Sequence, residues 1–417
     1  MVVQPLFEES ASEHPSSSTS TIATSPRLSR KLAIYGANAG FELRDELDHL
    51  SNRTIEPNIF FNARFLAPAM PRLEDREVRF MVMRDENKVR SRLRFVMPYT
   101  IERSGLPFSI PVIRAWATPY GPQGTPLIDQ DDPVGVMDDL FHILARKHLK
   151  MPDVLVLPAM RANGAVAKLI RSVAESRHLP IISIEQKQQP FLESTLDGDS
   201  YIRQAIGAHH HREYQRQWQR LSEQGELVYR IARTADDIRN NFEHFLTLET
   251  RGWRGKRGVP MSADRLRAAF AREAVNNLAE NDCVRIHTLE LNGRVIAILT
   301  VFTVAGEAWT WKTAFDETFH ALCPDVLLMI EVVKNHLGDP TILRTDSCAV
   351  PDHPVITRLF HERENIETIV VGLTPETIKH ARQAASQIEV YQRTRDLARK
   401  LRNKILRSFQ RSASRPQ

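Results

Sequence analysis

From Val284 onward the apolar positions alternate with polar ones. The run Val284-Arg285-Ile286-His287-Thr288-Leu289-Glu290-Leu291 meets Asn292-Gly293 and returns as Arg294-Val295-Ile296-Ala297-Ile298-Leu299-Thr300-Val301-Phe302. Asn-Gly between two such runs predicts a β-hairpin, because the tight turn needs positive φ at both central residues. A third strand is predicted over 308–315, a helix over 325–336 behind Pro324, and a strand over 341–345 that ends at Asp346-Ser347-Cys348.

The first half of the chain reads in the same order. It gives a strand at 32–35, a helix at 41–50, and a short helix at 60–66 with an apolar face. Two strands follow, at 78–83 and 89–99 around the polar turn Asp85-Glu86-Asn87, then a strand at 110–118 and a helix at 134–148. A buried strand at 153–157, a helix at 164–176 and a strand at 180–185 complete it. Both halves therefore run helical lead-in, hairpin, strand, helix, strand, helix, strand, without evident residue identity. The expected fold class is α+β. Two tandem units, 31–198 and 226–374, each carry a mixed, mostly antiparallel sheet flanked by helices. The polar helix 199–224, closed by Gly225, bridges them as segment 199–225. Residues 8–30 are rich in Ser, Thr and Pro, so 1–30 is expected to be a disordered tail. Residues 375–417 form a basic helical tail.

Composition changes this picture little. At 417 residues, 42% hydrophobic and 26% charged, the chain has the make-up of a globular protein with room for more than one core. No apolar run approaches the ~18 residues of a membrane helix. The longest, 295–304, reads as a buried strand, so no transmembrane segment is expected. The first residues lack a basic stretch followed by an apolar one, so no signal peptide is expected either. Cys283, Cys323 and Cys348 form no C-x-x-C pair, which argues against a disulfide framework or structural zinc and points to a reducing cytoplasm.

Charge is unevenly placed. Segment 376–417 holds 11 Lys/Arg against 3 Asp/Glu, a balance of +8 within a total of +5, which leaves −3 for the rest. Such a tail can meet RNA, an anionic membrane or an acidic partner, or it can be a solvated helix covering an apolar strip.

Several residue groups carry candidate chemistry. His209-His210-His211-Arg212 with Arg216 and Arg220 lie on the bridging helix. Consecutive helical positions point ~100° apart, so the three histidines cannot chelate one metal. They read as a basic face for an anion or as a solvated face. The loop Arg161-Ala162-Asn163-Gly164 opens a helix, as a phosphate-binding turn or a plain strand-to-helix turn. Glu249, one turn before Gly252-Trp253, is a general-base candidate at a cleft corner, or part of a helix stop with a packed Trp. Lys312 and Asp316 flank the end of the third strand, as substrate anchors or a structural ion pair. Asp346, Ser347 and Cys348 close the next strand, where ligands gather in α/β sheets. His353 reads as a helix-start residue, and a covalent Cys348 paired with His353 or His361 is the weaker alternative to a buried core thiol.

The segments Leu248-Glu249 with Gly252-Trp253-Arg254-Gly255, Trp311-Lys312-Thr313-Ala314-Phe315-Asp316, Pro324-Asp325-Val326-Leu327-Leu328, Asp346-Ser347-Cys348-Ala349 and Asp352-His353-Pro354 together resemble the GNAT-type acyltransferases. The likeness is to the CelD/BcsL group linked to cellulose and exopolysaccharide synthesis, and it runs over about 58–372. The tandem order is also similar to that of the peptidoglycan aminoacyl transferases. The resemblance implies two GNAT-like units and acetyl-CoA or another acyl-CoA as donor. It implies a donor lying along Ile298, Leu299 and Thr300, with its pyrophosphate near Asp325, Val326 and Leu327. It further implies catalysis by Glu249 or Asp346 with Lys312 and Asp316, a substrate wall of Trp253, Trp311, Ser347 and Cys348, a sugar or glycan acceptor, and no metal. Two features depart from the pattern: no glycine loop precedes Asp325, and no tyrosine lies between Tyr229 and Tyr391. The alternatives are an aminoacyl-tRNA-dependent transferase, or a degenerate, non-catalytic GNAT pair that binds within an exopolysaccharide-synthesis complex.

Overall fold

The structure is a computed structural model that describes residues 4–11, 29–73, 77–86, 91–103, 109–252, 260–349, 353 and 355–413. The first half comprises β1 (Phe7–Ser10), β2 (Ser29–Gly36), α1 (Ala39–Glu42), α2 (Arg44–Ser51), α3 (Ala63–Leu73), β3 (Arg79–Glu86), β4 (Ser91–Glu102), β5 (Val112–Ala115), β6 (Leu127–Ile128), α4 (Pro133–Leu144), β7 (Val154–Arg161), α5 (Ala165–Ser176) and β8 (Ile181–Leu192). Helix α6 (Gly198–Ser222) bridges to β9 (Leu227–Ala232), α7 (Ala235–Arg251) and α8 (Arg265–Ala279). Then come β10 (Val284–Leu291), β11 (Arg294–Val304), β12 (Glu307–Phe315), α9 (Pro324–Gly338), β13 (Arg344–Asp346), α10 (Ile356–Leu359), β14 (Glu362–Gly372) and α11 (Ile378–Ala413).

The fold is α+β: a mixed, largely antiparallel sheet flanked by helices. Its strands form one continuous sheet in the order β1-β2-β3-β4-β5-β7-β14-β8-β13-β12-β11-β10-β9, with β6 against β4. The centre of this order is an exchange. Strand β14, from the second half, lies between β7 and β8 of the first. Strand β8 in turn pairs with β13, through Thr345↔Leu192 and Asp346↔Phe191. Each half thus lends its last strand to the other.

An aromatic cluster seals the halves together on one face. Phe302 lies 4.7 Å from Trp311, Phe65 5.3 Å from Phe270, and Phe60 6.2 Å from Trp309, all between ring centroids. The first pair is tilted and the other two are edge-on, and rings at these separations add to the gain from burying large apolar areas.

Several boundaries differ from the sequence reading. Phe7–Ser10 pairs with Lys31–Ile34, so the ordered chain starts earlier than composition predicts, while 12–28 lie outside the described residues. The expected helix 41–50 is split at Leu43. The bridging helix breaks at Gly207, whose φ of 70° is open to glycine and strained for other residues. Strand β8 runs to Leu192, well past 185, because β14 pairs along its polar stretch. Among the described residues no helix is long and apolar enough to cross a membrane.

Candidate active site

The site begins with a strand that loses a neighbour. On one edge β12 pairs with β11 from Glu307↔Val304 to Phe315↔Ala297, with a bulge between Thr300 and Val301 that leaves Trp311 outside the register. On the other edge β12 pairs in parallel with β13 only at Glu307↔Arg344, Ala308↔Thr345 and Trp309↔Asp346. Beyond Trp309 the two chains diverge, tied by the Thr310 hydroxyl donating to the Ser347 carbonyl at 2.7 Å. Among the described residues the register of β12 with β13 ends at Trp309↔Asp346.

A cleft of about 230 Å³ opens along this edge, lined by Leu299, Lys312, Asp325, Met329, Cys348 and His353 among others. Its mouth meets the first turn of α9. Cys323 precedes that turn with φ at 47°, and Pro324 has no N–H to offer. The Asp325 carboxyl sits beside the backbone N–H groups of its own residue and of Val326, and the Val326 N–H donates to the Cys323 carbonyl at 3.0 Å. Burial pushes its pKa up, and those backbone N–H groups and the nearby His320 and His353 pull against the rise. An acid therefore sits where a helix start would otherwise hold an anion.

Lys312 stands at the cleft wall with its Nζ 4.9 Å from the Tyr120 ring and 5.8 Å from the Trp311 ring, in cation–π range. Tyr120 comes from the first half and was missing from the sequence reading. The Trp311 indole donates to the Tyr120 carbonyl at 2.7 Å, which fixes this junction. Burial pushes the Tyr120 phenol up; Arg267 opposes this and the charge of Glu249 adds to it.

Asp346 is fully buried, and both of its oxygens are engaged. Oδ2 accepts from Gln123 Nε2 at 2.9 Å; Oδ1 accepts from Gln189 Nε2 at 2.6 Å and from the Cys348 N–H at 2.7 Å. Arg161 lies 3.9 Å away and makes its closer pair with Glu307, at 2.6 Å. Arg344 pairs with Glu364 of β14, across the intervening β8, and lies 3.8 Å over the Phe191 ring of β8. Asp346 thus belongs to the charged seam of the exchanged strands and holds the turn that leads to Cys348. That cysteine has φ at 48°, and burial beside Asp346 pushes its thiol well above its ordinary pKa.

The remaining predicted residues scatter. Glu249 is 5% exposed and accepts from the Met261 N–H at 2.8 Å. Asp316 caps the turn Glu317–Leu322 through the Thr318 N–H at 3.0 Å and pairs with Arg294; it does not line the cleft. Of the expected donor wall, Leu299 lines the cleft while Ile298, Thr300 and Val326 are buried, and Leu327 faces a separate groove against α6. Trp311, Ser347 and Cys348 line the cleft. Trp253 lies outside the described residues. His353 lines the cleft, and its Nδ1 accepts from the Ile356 N–H at 3.3 Å, so it also starts α10. Among the described residues no group of three or more His, Cys, Asp or Glu could hold a metal.

Residues 208–340 match the family model of the acetyltransferase (GNAT) domain. A search of curated proteins finds no match. Among solved structures, the chain is similar to the C-terminal domain of a candidate lysylphosphatidylglycerol synthetase from Agrobacterium fabrum, with TM-score 0.50 and 10% identity over 83% of this chain and 96% of that one. It is also similar to FemX, with TM-score 0.49 and 7% identity over 82% and 98%. A third is a tandem GNAT protein from the clavulanic acid pathway, with TM-score 0.38 and 13% identity over 82% and 99%.

Proposed function

We propose that the chain transfers an acyl group from a thioester or ester carrier to an amine or hydroxyl. Acetyl-CoA is the first donor to test and a sugar-bearing acceptor the first acceptor, as the sequence resemblance implies. The observation that carries this reading is the divergence of β12 and β13 past Trp309, which opens a cleft lined by Lys312, Asp325 and His353. An extended donor arm laid along β12 there takes main-chain hydrogen bonds as an added strand does. A peptide N–H there can hold the carbonyl oxygen as it gains negative charge, and the Lys312 cation beside it strengthens that hold.

Asp325 is the base in this scheme. Burial makes its carboxyl a better proton acceptor than an exposed aspartate. The acceptor nitrogen or oxygen attacks the carbonyl carbon and its proton passes to Asp325. The bond from the carbonyl carbon to the carrier sulfur or oxygen then breaks, and the carrier leaves with that proton. Asp346, with both oxygens engaged, keeps the Cys348 turn in place. In this scheme the two units, 31–198 and 226–374, work as one body, since Tyr120 and Gln123 of the first support Lys312 and Asp346 of the second.

The first turn of α9 suits a donor arm and not a pyrophosphate, because Pro324 and Asp325 leave no anion cradle there. That supports a second reading, in which the donor is the aminoacyl ester of a tRNA and its phosphates lie on basic surface away from the cleft. The test is thermal stability of the full chain with acetyl-CoA, longer acyl-CoAs, bare CoA or aminoacyl-tRNA. A true ligand at ~100 times its Kd adds ~2.7 kcal/mol to stability. A shift with acetyl-CoA that Lys312→Ala weakens supports the first reading. A shift with aminoacyl-tRNA alone supports the second. No shift with any of them overturns both and leaves a non-catalytic binding module.

A further inference from the structure

Helix α11 has two unlike halves. As far as Ile388 it is packed: Ala381, Ala384, Ala385 and Ile388 are buried with Val154, Val156 and Val370 of the central strands. Past that point the large apolar side chains that are described face water, with Val390 46%, Tyr391 44% and Leu397 60% exposed. At ~100° per residue, positions 390, 397, 401, 405 and 409, which are Val, Leu, Leu, Ile and Phe, fall on one stripe about 120° wide. Segment 390–413 carries 8 Lys/Arg against 1 Asp, and none of those basic positions falls inside the stripe.

A cleft of about 710 Å³ opens where the helix leaves the body, between α11 and the β4–β5 pair. Arg103, Arg114, Arg395, Glu102 and Trp116 line it, Arg114 being paired with Glu102 at 3.1 Å. Trp116 is 5% exposed, and its indole N–H has no hydrogen-bond acceptor.

We propose that α11 docks the chain on an anionic lipid bilayer surface. The stripe sits at the boundary of headgroups and acyl chains, the flanking Arg and Lys lie among lipid phosphates, and the arginine-lined cleft takes one headgroup. A helix with an apolar stripe edged by cations has the character of an interfacial helix, and each cation near an anionic surface adds to binding. An RNA surface would use the cations but leave the stripe in water. A second copy of the helix would cover the stripe but bring rows of like charge together at its edges.

The test is co-sedimentation of the full chain with vesicles of phosphatidylcholine alone, or with about one-third phosphatidylglycerol. The expected result is at least ~10-fold tighter binding to the anionic vesicles, falling as salt rises. Leu401→Ser with Phe409→Ser keeps the charge, and Arg399→Gln with Arg402→Gln keeps the stripe; each pair weakens binding ~10-fold or more. Both are expected to leave the melting temperature unchanged, since the described packing of α11 against the central strands runs from Ala381 to Ile388. Equal binding to neutral and anionic vesicles overturns the proposal. So does salt-sensitive RNA binding, without vesicle binding, that the Leu401→Ser/Phe409→Ser chain retains. A solution dimer that the same chain loses would assign the stripe to self-association and overturn it too.

Discussion

Lys312, Asp316 and Asp346 are all charged residues of the second half and differ in what their side chains can do. Lys312 lines the cleft where β12 and β13 diverge, so Lys312→Ala is expected to lower turnover ~10–100-fold with little change in melting temperature. Asp316 caps a turn outside the cleft, so Asp316→Ala should cost about 1 kcal/mol of stability and leave turnover intact. Equal turnover losses in the two variants would show that the cleft has been placed wrongly. Asp346→Ala strands Gln123, Gln189 and the Cys348 N–H, and should destabilise by several kcal/mol, as the loss of a buried, multiply bonded charge does. His336 carries a different signal. Its ring is buried against Thr345 and edge-on to His287, and burial lowers its pKa to about 4. Between about pH 6.5 and about 4 the unfolded chain holds the extra proton and the folded chain does not, so stability falls as the pH is lowered through that window. From pH 7 to pH 5 this group alone removes about 2 kcal/mol, and His336→Gln should flatten that part of the urea-unfolding profile.

At the scale of elements, what was legible followed local chemistry. The hairpin of β10 and β11 was readable because Asn292 and Gly293 supply the positive φ values, 51° and 76°, that its turn demands. Helix α5 was readable from its apolar spacing. The far end of β8 was not: Gln186-Lys187-Gln188-Gln189 has no alternation, and it is a strand only because β14, about 180 residues away in the chain, pairs with it. The cleft was half legible for the same reason. Lys312, Trp311, Ser347 and Cys348 lie in or beside strands whose pattern shows, whereas Tyr120 reaches Lys312 from an irregular loop with no period to read. Packing between α6 and α9 is a further feature that pattern cannot show. A Cβ on Gly198 would lie 2.5 Å from the Lys334 backbone, so Gly198→Ala should push these helices apart and cost about 1–3 kcal/mol, seen as a lower melting temperature.

At the scale of the molecule, the exchange of β8 and β14 decides how the halves can behave. The repeated order of elements suggests two units that could fold separately, yet β13 finds its outer neighbour in the first half and β7 finds its own in the second. Arg161 and Glu307 close a buried ion pair across that seam, and Gln123 reaches Asp346 from 223 positions away. Opening either half would uncover strand edges, strip partners from a cluster of charges and expose the aromatic face that Phe60 and Phe65 share with Phe302 and Trp311. Those costs fall together, so the two halves should unfold in a single step. Calorimetry of the full chain should then give a van't Hoff enthalpy for the main transition close to the calorimetric one, although a chain of this length would ordinarily show more than one unfolding unit. Segments 31–198 and 226–374 made apart should each be poorly folded and prone to aggregate through the bare edges of β7 and β13, and should regain order only when mixed. Two well-separated transitions in the full chain, or a stably folded 226–374 alone, would show that the exchanged strands are an ornament on two independent cores.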